Sequence, residues 1–242
     1  MATFVLVHGA CHGGWCWSKL VPELEALGHH AVTLDLPAMG DDDTPIADVT
    51  LEMNIDRVAE TIGKLAEPVV LVGHSLGGIT ITGVAERVPD RIGLLVYLTA
   101  FLPRDGESGS AIASSPAWIP EAGTRAIIPS ADGLSVSFSP EGALERFYNG
   151  CSEADIAYCL PRLKPQPSII RNSPVHTTPE RFGSVPRAYV HCADDRSVAL
   201  AVQQYMVEHL PCRETVTLQT GHSPFLSAPK ELANALSNLA DS

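Results

Sequence analysis

A serine set between glycines, an acidic pair and a late histidine, each at the end of an apolar run, are the residues of this chain that could cleave an acyl bond. Gly73-His74-Ser75-Leu76-Gly77 is a G-x-S-x-G pattern. The apolar residues 69–72 before it read as a buried strand, and Leu76, Ile79, Gly83, Val84 and Arg87 after it recur at helical spacing until Pro89. In that context the serine occupies a sharp strand-to-helix turn with its hydroxyl clear of the sheet end. The backbone N–H of Leu76 then points at any anion forming beside Ser75. Glycine and serine are abundant, so the pattern alone is weak and needs partners.

Two further loops supply them. Asp194 and Asp195 follow a strand expected over 187–192, and Gly221-His222 follows one expected over 214–218. Strand ends of a parallel sheet lie on one edge, so loops distant in sequence meet there, in the chain order Ser, Asp, His. The chemistry requires all three: a hydroxyl is a poor nucleophile until an imidazole takes its proton, and the imidazole needs a carboxylate to fix its tautomer. Spacing leaves Asp194 and Asp195 both open. The glycine-rich turn His8-Gly9-Ala10-Cys11-His12-Gly13-Gly14 follows a strand over 3–7 and places the N–H of Ala10 as a second oxyanion donor. His8 and His12 read as loop-shaping hydrogen-bonders; His29, His30, His176, His191 and His209 take structural or surface roles.

The elements that must hold these loops follow one rhythm. A helix capped by Ser18 carries Leu20, Leu24 and Leu27 and stops at Gly28, and a strand covers 31–34. Asp41-Asp42-Asp43 reads as a solvated loop, because three consecutive side chains diverge and no other ligand accompanies them. Thr50 caps a helix with Leu51, Ile55, Val58, Ile62 and Leu65 inward, and residues 94–98 form another buried strand. Strand and helix in alternation predict an α/β fold with a mostly parallel sheet of about six strands flanked by helices. The core is expected over 1–102 and 187–242. Residues 103–186 hold eleven of the nineteen prolines and isolated large apolar side chains (Trp118, Ile119, Phe138, Phe147, Tyr148, Tyr158), and read as an inserted lid of short elements. Within it a helix is expected over 139–149 with Leu144 and Phe147 inward, then another over 152–160. Val202, Tyr205, Met206 and His209 mark a helix after the acidic pair. Pro229 opens a terminal helix expected to fray over 239–242.

Composition narrows the class. Sixteen basic against twenty-eight acidic residues give a net charge of -12, which disfavours nucleic acid and anionic membrane as partners. No stretch is long and apolar enough to span a bilayer, and the N-terminus lacks a leader pattern, so the expectation is cytoplasmic. Cys11, Cys16, Cys151, Cys159, Cys192 and Cys212 are scattered without metal-binding spacing and read as free thiols.

Together FVLVHGACHGGWCWSKL (4–20), GHHAVTLDLPAMG, VVLVGHSLGG, ERFGSVPRAYVHC and the Gly221-His222 pair resemble the α/β-hydrolase superfamily. More narrowly they resemble the branch holding the plant methylesterases and the hydroxynitrile lyases of that fold, across essentially the whole chain and most loosely in the lid. The resemblance implies Ser75 as nucleophile, His222 as base, Asp195 rather than Asp194 as the acid, and the N–H groups of Ala10 and Leu76 as the oxyanion hole. It implies no cofactor and no metal. Lyases of the branch carry threonine at the position of Gly9, glutamate at that of His74 and lysine at that of Ser223, so the resemblance favours the esterase type. The expected activity is an acyl-enzyme carboxylesterase acting on a small hydrophobic or aromatic ester, methyl or short-alcohol, with Trp118, Phe147 and Phe225 as pocket residues. The alternatives are a lyase, a lactone- or thioester-cleaving enzyme, and a ligand receptor with negligible turnover. A small-molecule ester is the expected partner, and a homodimer stays open.

Overall fold

The computed structural model describes residues 1–118 and 127–242; Ile119 of the expected lid lies outside them. The first half of the chain is β1 (Thr3–Val7), α1 (Leu20–Ala26), β2 (His30–Thr33), α2 (Leu51–Gly63), β3 (Val69–His74), α3 (Gly77–Arg87) and β4 (Ile92–Leu98). A long segment follows, carrying α4 (Gly109–Ile112), β5 (Ile127–Pro129), β6 (Ser135–Phe138), α5 (Pro140–Arg146), α6 (Glu153–Cys159), β7 (Gln166–Pro167) and α7 (Ser168–Asn172). The chain returns with β8 (Arg187–Cys192), α8 (Leu200–His209), β9 (Glu214–Leu218), α9 (Pro224–Ser227) and α10 (Pro229–Asp241).

Six strands form one sheet in the order β2-β1-β3-β4-β8-β9, every pair parallel. Alternate side chains of each strand enter opposite faces, as the two-residue pleat dictates. Val5, Leu71, Leu95 and Tyr97 pack with Ile55, Val58, Ile79 and Met206 on the face covered by α2, α3 and α8. Phe4, Val70, Val72 and Val96 pack with Leu20, Leu24, Leu232 and Leu236 on the face covered by α1 and α10. With both faces covered, the central strands are apolar throughout rather than alternating. The chain leaves β1 toward β2 on one side while β3 lies on the other, so a crevice opens at the carboxyl ends of β1 and β3.

Several expectations shift in detail. The first helix starts at Leu20 after a 3-10 turn, Gly14–Lys19, and Ser18 caps nothing. Leu27 is exposed at its end, where Gly28 turns the chain with φ +83. Thr50 does cap α2, its Oγ1 accepting from Met53 N at 3.2 Å. Ser139 and Ser152 cap α5 and α6. Leu144 points outward and Ala143 inward, because seven helical residues anchored at Pro140 leave the face of Ala143 and Phe147 against the core. α10 runs to Asp241 without fraying, since Leu239 is fully buried. The three-stranded antiparallel sheet β5-β6-β7 was not expected; strands of two to four residues are too short to show periodicity. All six cysteines are free. Asp42 shapes its loop by accepting from Ala38 N and Thr44 N and by pairing with Arg57 at 2.8 Å. Among the described residues no helix is long and apolar enough to cross a membrane.

Candidate active site

Ser75 sits just past the end of β3 with φ +52, a left-handed conformation that non-glycine residues rarely adopt. The turn is this tight because its flanking glycines let three backbones converge. A Cβ on Gly77 would lie 2.6 Å from His8 O, and one on Gly78 2.1 Å from Phe101 O. The carbonyl of Ser75 accepts from Gly78 N and Phe101 N, tying the turn to α3 and to the loop after β4. Leu76 N and Ala10 N, the two expected oxyanion donors, have no protein acceptor among the described residues. They flank the serine from the loops after β3 and β1.

The loops after β8 and β9 bring Asp195 to His222. Nδ1 of His222 donates to Asp195 Oδ2 at 2.7 Å, with both side chains buried. An ionised carboxylate only accepts, so this bond fixes the proton on Nδ1 and leaves Nε2 with its lone pair. That Nε2 is buried and has no protein partner. Asp194 is exposed, its backbone N–H and C=O engaged by Thr220 O and Asn149 Nδ2. Asp195 also accepts from Ser197 N at 2.6 Å, from Val198 N at 2.9 Å and from the hydroxyl of Thr99. Thr99 holds φ +41 at the end of β4; no motif singled it out, since a threonine after a strand has no distinctive neighbours.

His74 packs beside His222, ring centroids 4.5 Å apart, and its Nε2–H donates to the His222 carbonyl at 2.8 Å. Burial holds His74, His8 and His12 below the usual histidine range, His12 at about 3, so all three are neutral donors and acceptors. His12 donates to Ala10 O at 2.7 Å and accepts from the Tyr148 hydroxyl at 3.0 Å; His8 donates to Gly9 O and accepts from Leu36 N. They shape the Ala10 loop. The same loop is braced from the inserted segment: Cys11 N donates to Gln166 Oε1 at 3.1 Å and Lys164 N to Cys11 O at 3.0 Å. Gln166 is a brace of this loop and a cavity-lining residue that periodicity missed, because a single glutamine in a proline-rich stretch carries no pattern.

Ser75 opens on a cavity of about 180 Å³ with Ala10 and Leu76 in its lining. Phe101, Trp118, Phe138 and Phe147 form apolar wall. Phe225 does not reach the cavity. It is fully buried on α9, 4.8 Å from Trp17 and 4.9 Å from His74 by ring centroids, so it backs the histidines from the core side. Proximity to residue 222 in sequence gave no information about side, because the chain turns into α9 directly after it. A hydroxyl nucleophile, a correctly tautomerised base, free N–H groups and an apolar recess can together support acyl transfer.

The model of the alpha/beta hydrolase family matches residues 4–235. Methylesterase 2 of Arabidopsis thaliana is 36% identical over 98% of this chain and 95% of its own length. Salicylic acid-binding protein 2 of Nicotiana tabacum is 33% identical over 98% and 96%. Among solved structures, the crystal structure of polyneuridine aldehyde esterase superposes with a TM-score of 0.89 at 27% identity, each chain covered fully.

Proposed function

The chain belongs to the alpha/beta hydrolase family, and on that premise we propose a serine carboxylesterase in which Ser75, His222 and Asp195 form the catalytic triad. The observation that carries the reading is the buried Asp195–His222 bond, which leaves an unpartnered Nε2 on a ring packed against His74, the residue before the strained Ser75. Ser75 Oγ attacks the ester carbonyl as His222 Nε2 takes its proton. The N–H groups of Ala10 and Leu76 hold the tetrahedral oxyanion, each donor contributing about 3 kcal/mol. Collapse expels the alcohol, which takes the proton back from His222. Water, deprotonated by the same nitrogen, then releases the acid from the acyl-serine. Residues 103–186 act as a lid, with Trp118 and Phe147 selecting the ester. Methyl and short-alcohol esters are favoured by kinship with methylesterases. The six free thiols support a cytoplasmic setting.

A lyase is disfavoured by Gly9. A Cβ there would lie 2.8 Å from both His74 Nδ1 and Ser75 Cβ, so a threonine does not fit beside this His74. Release of nitrophenol from short-chain p-nitrophenyl esters tests the proposal. The wild type should turn over steadily and Ser75→Ala should fall by about a thousandfold or more. Equal rates would defeat the triad, and a single burst without turnover would leave a receptor.

A further inference from the structure

In a chain with twelve more acidic than basic residues, the cavity beside Ser75 has the opposite bias. Two arginines, Arg146 on α5 and Arg171 on α7, line it, and among the described residues it is lined by no aspartate or glutamate. Neither arginine belongs to an ion pair among the described residues. Arg146 donates one long bond, 3.4 Å, to the Arg196 carbonyl, and its Nε is buried without a partner. Arg171 has no hydrogen-bond acceptor among the described residues, and its Nε too is buried without a partner. Burial lowers the Arg171 guanidinium from its ordinary value.

This is an expensive arrangement for a purely apolar recess. A half-buried guanidinium without a counter-ion is destabilising, whereas an exposed arginine or an apolar residue on α7 would cost nothing comparable. The stem of Arg171 is packed: a Cβ on Gly109 of α4 would come within 3.2 Å of its Cγ. The side chain is therefore held against the cavity by α4. Asn172 beside it is a further polar group in the lining. Ser75, Gln166, Ser168 and Ser197 are the other polar side chains of the lining, all uncharged, and the rest of the wall is apolar.

We propose that this cavity takes an ester carrying a second, anionic group, a half-ester of a dicarboxylic acid, whose free carboxylate pairs with Arg171 while its apolar body lies along Phe101 and Phe147. The inference rests on the esterase reading above and narrows its substrate class from neutral to anionic esters. A guanidinium presents a planar donor fork that a carboxylate meets with two parallel bonds, and desolvation strengthens the pair. Arg146 adds a second positive charge to the same recess. The reaction balances as ordinary hydrolysis: the acyl–oxygen bond breaks, Ser75 carries the acyl group and its proton leaves with the alcohol, and water then supplies the oxygen of the dicarboxylate, one proton to restore Ser75 and one proton released to solvent. Arg171 binds the carboxylate that does not react and takes no part in these steps.

The test is kcat/KM for the monomethyl esters of succinic, glutaric, adipic and pimelic acids, each against the methyl ester of the monocarboxylic acid of matched length. At the best chain length the charged ester should be preferred by about tenfold or more, a ratio that declines as salt is raised. In Arg171→Gln the ratio should collapse toward one, and Arg171→Lys should restore part of it, since lysine keeps the charge without the fork. A wild-type ratio of one or below at every length overturns the inference, as does a preference that survives Arg171→Gln. Calorimetric binding of the same ester pairs to Ser75→Ala separates this failure from failure of the esterase reading. Tighter binding of the charged member that is lost in Ser75→Ala/Arg171→Gln supports the anion site even if neither ester is turned over, and equal binding overturns it.

Discussion

Asp195 and Arg171 are both charged groups withdrawn from solvent around one centre, and the fold treats them in opposite ways. Asp195, at the edge of the parallel sheet, accepts from four donors: the His222 ring, the Thr99 hydroxyl and the N–H groups of Ser197 and Val198. Arg171, in the inserted segment, has no acceptor among the described residues. The difference separates two kinds of work. A group that must hold a base in one tautomer is surrounded before any ligand arrives, because reorganising it during the reaction would raise the barrier. A group that recognises a ligand keeps its bonding capacity open for that ligand. On the proposed reading, the sheet edge is preorganised and the inserted segment selects.

That contrast is broken most severely at Asp195. Asn would offer its amide to Nδ1, drive the histidine proton to Nε2 and remove the base, so Asp195→Asn should lower kcat on a nitrophenyl ester by about 10³- to 10⁴-fold with the fold intact by circular dichroism. A loss below tenfold would show that the four-donor cage serves structure alone.

The seam between the two regions gives the next effect. His12, from the loop after β1, is covered by Tyr148 of the inserted segment, and burial pushes it down to about 3. Folded, the ring is neutral; unfolded, it takes a proton below the ordinary value near 6.5. Its contribution is therefore complete above about pH 6.5 and declines as pH falls toward 3. By pH 5 the loss should be about 2 kcal/mol in urea denaturation, and His12→Gln should flatten the profile by roughly one proton. A pH-independent midpoint between 7 and 5 would mean that the seam opens to water.

The smallest effect belongs to the outer surface of the inserted segment. Ile128 and Ile169 are about half exposed, at 50% and 44%. Ile128→Ser and Ile169→Ser should change stability by no more than about 0.5 kcal/mol, against about 3 kcal/mol for Leu71→Ala in the sheet. A larger loss at Ile128 would reveal a face covered in solution by a second chain.

The two regions also differ in how much of them could be read. β8 and β9 span the residues expected for them, 187–192 and 214–218, and α2 starts at Thr50's cap. A continuous sheet imposes a repeating rule, apolar run then loop, and the chemistry-bearing residues sit at a fixed place in that rule. The inserted segment has no such rule. Its strands are two to four residues long, its braces are single polar residues such as Gln166, and the outward turn of Leu144 depends on where α5 docks. Phe225 shows the same limit within the core, since a side chain one turn from His222 can face the cavity or the opposite layer.

The doubly covered parallel sheet, the sharp turn at Ser75 and the loops that carry Asp195 and His222 are legible in the residues alone, because apolar periodicity and glycine spacing act over a few consecutive residues. Spacing leaves two adjacent aspartates open; the tertiary structure sets Asp195 against the imidazole, braces the centre with Thr99 and Gln166, and turns toward the cavity two arginines that have no counter-ion among the described residues. Those outcomes depend on distances between segments far apart in the chain, where a single hydrogen bond or its absence is fixed by how layers pack and leaves no local pattern behind.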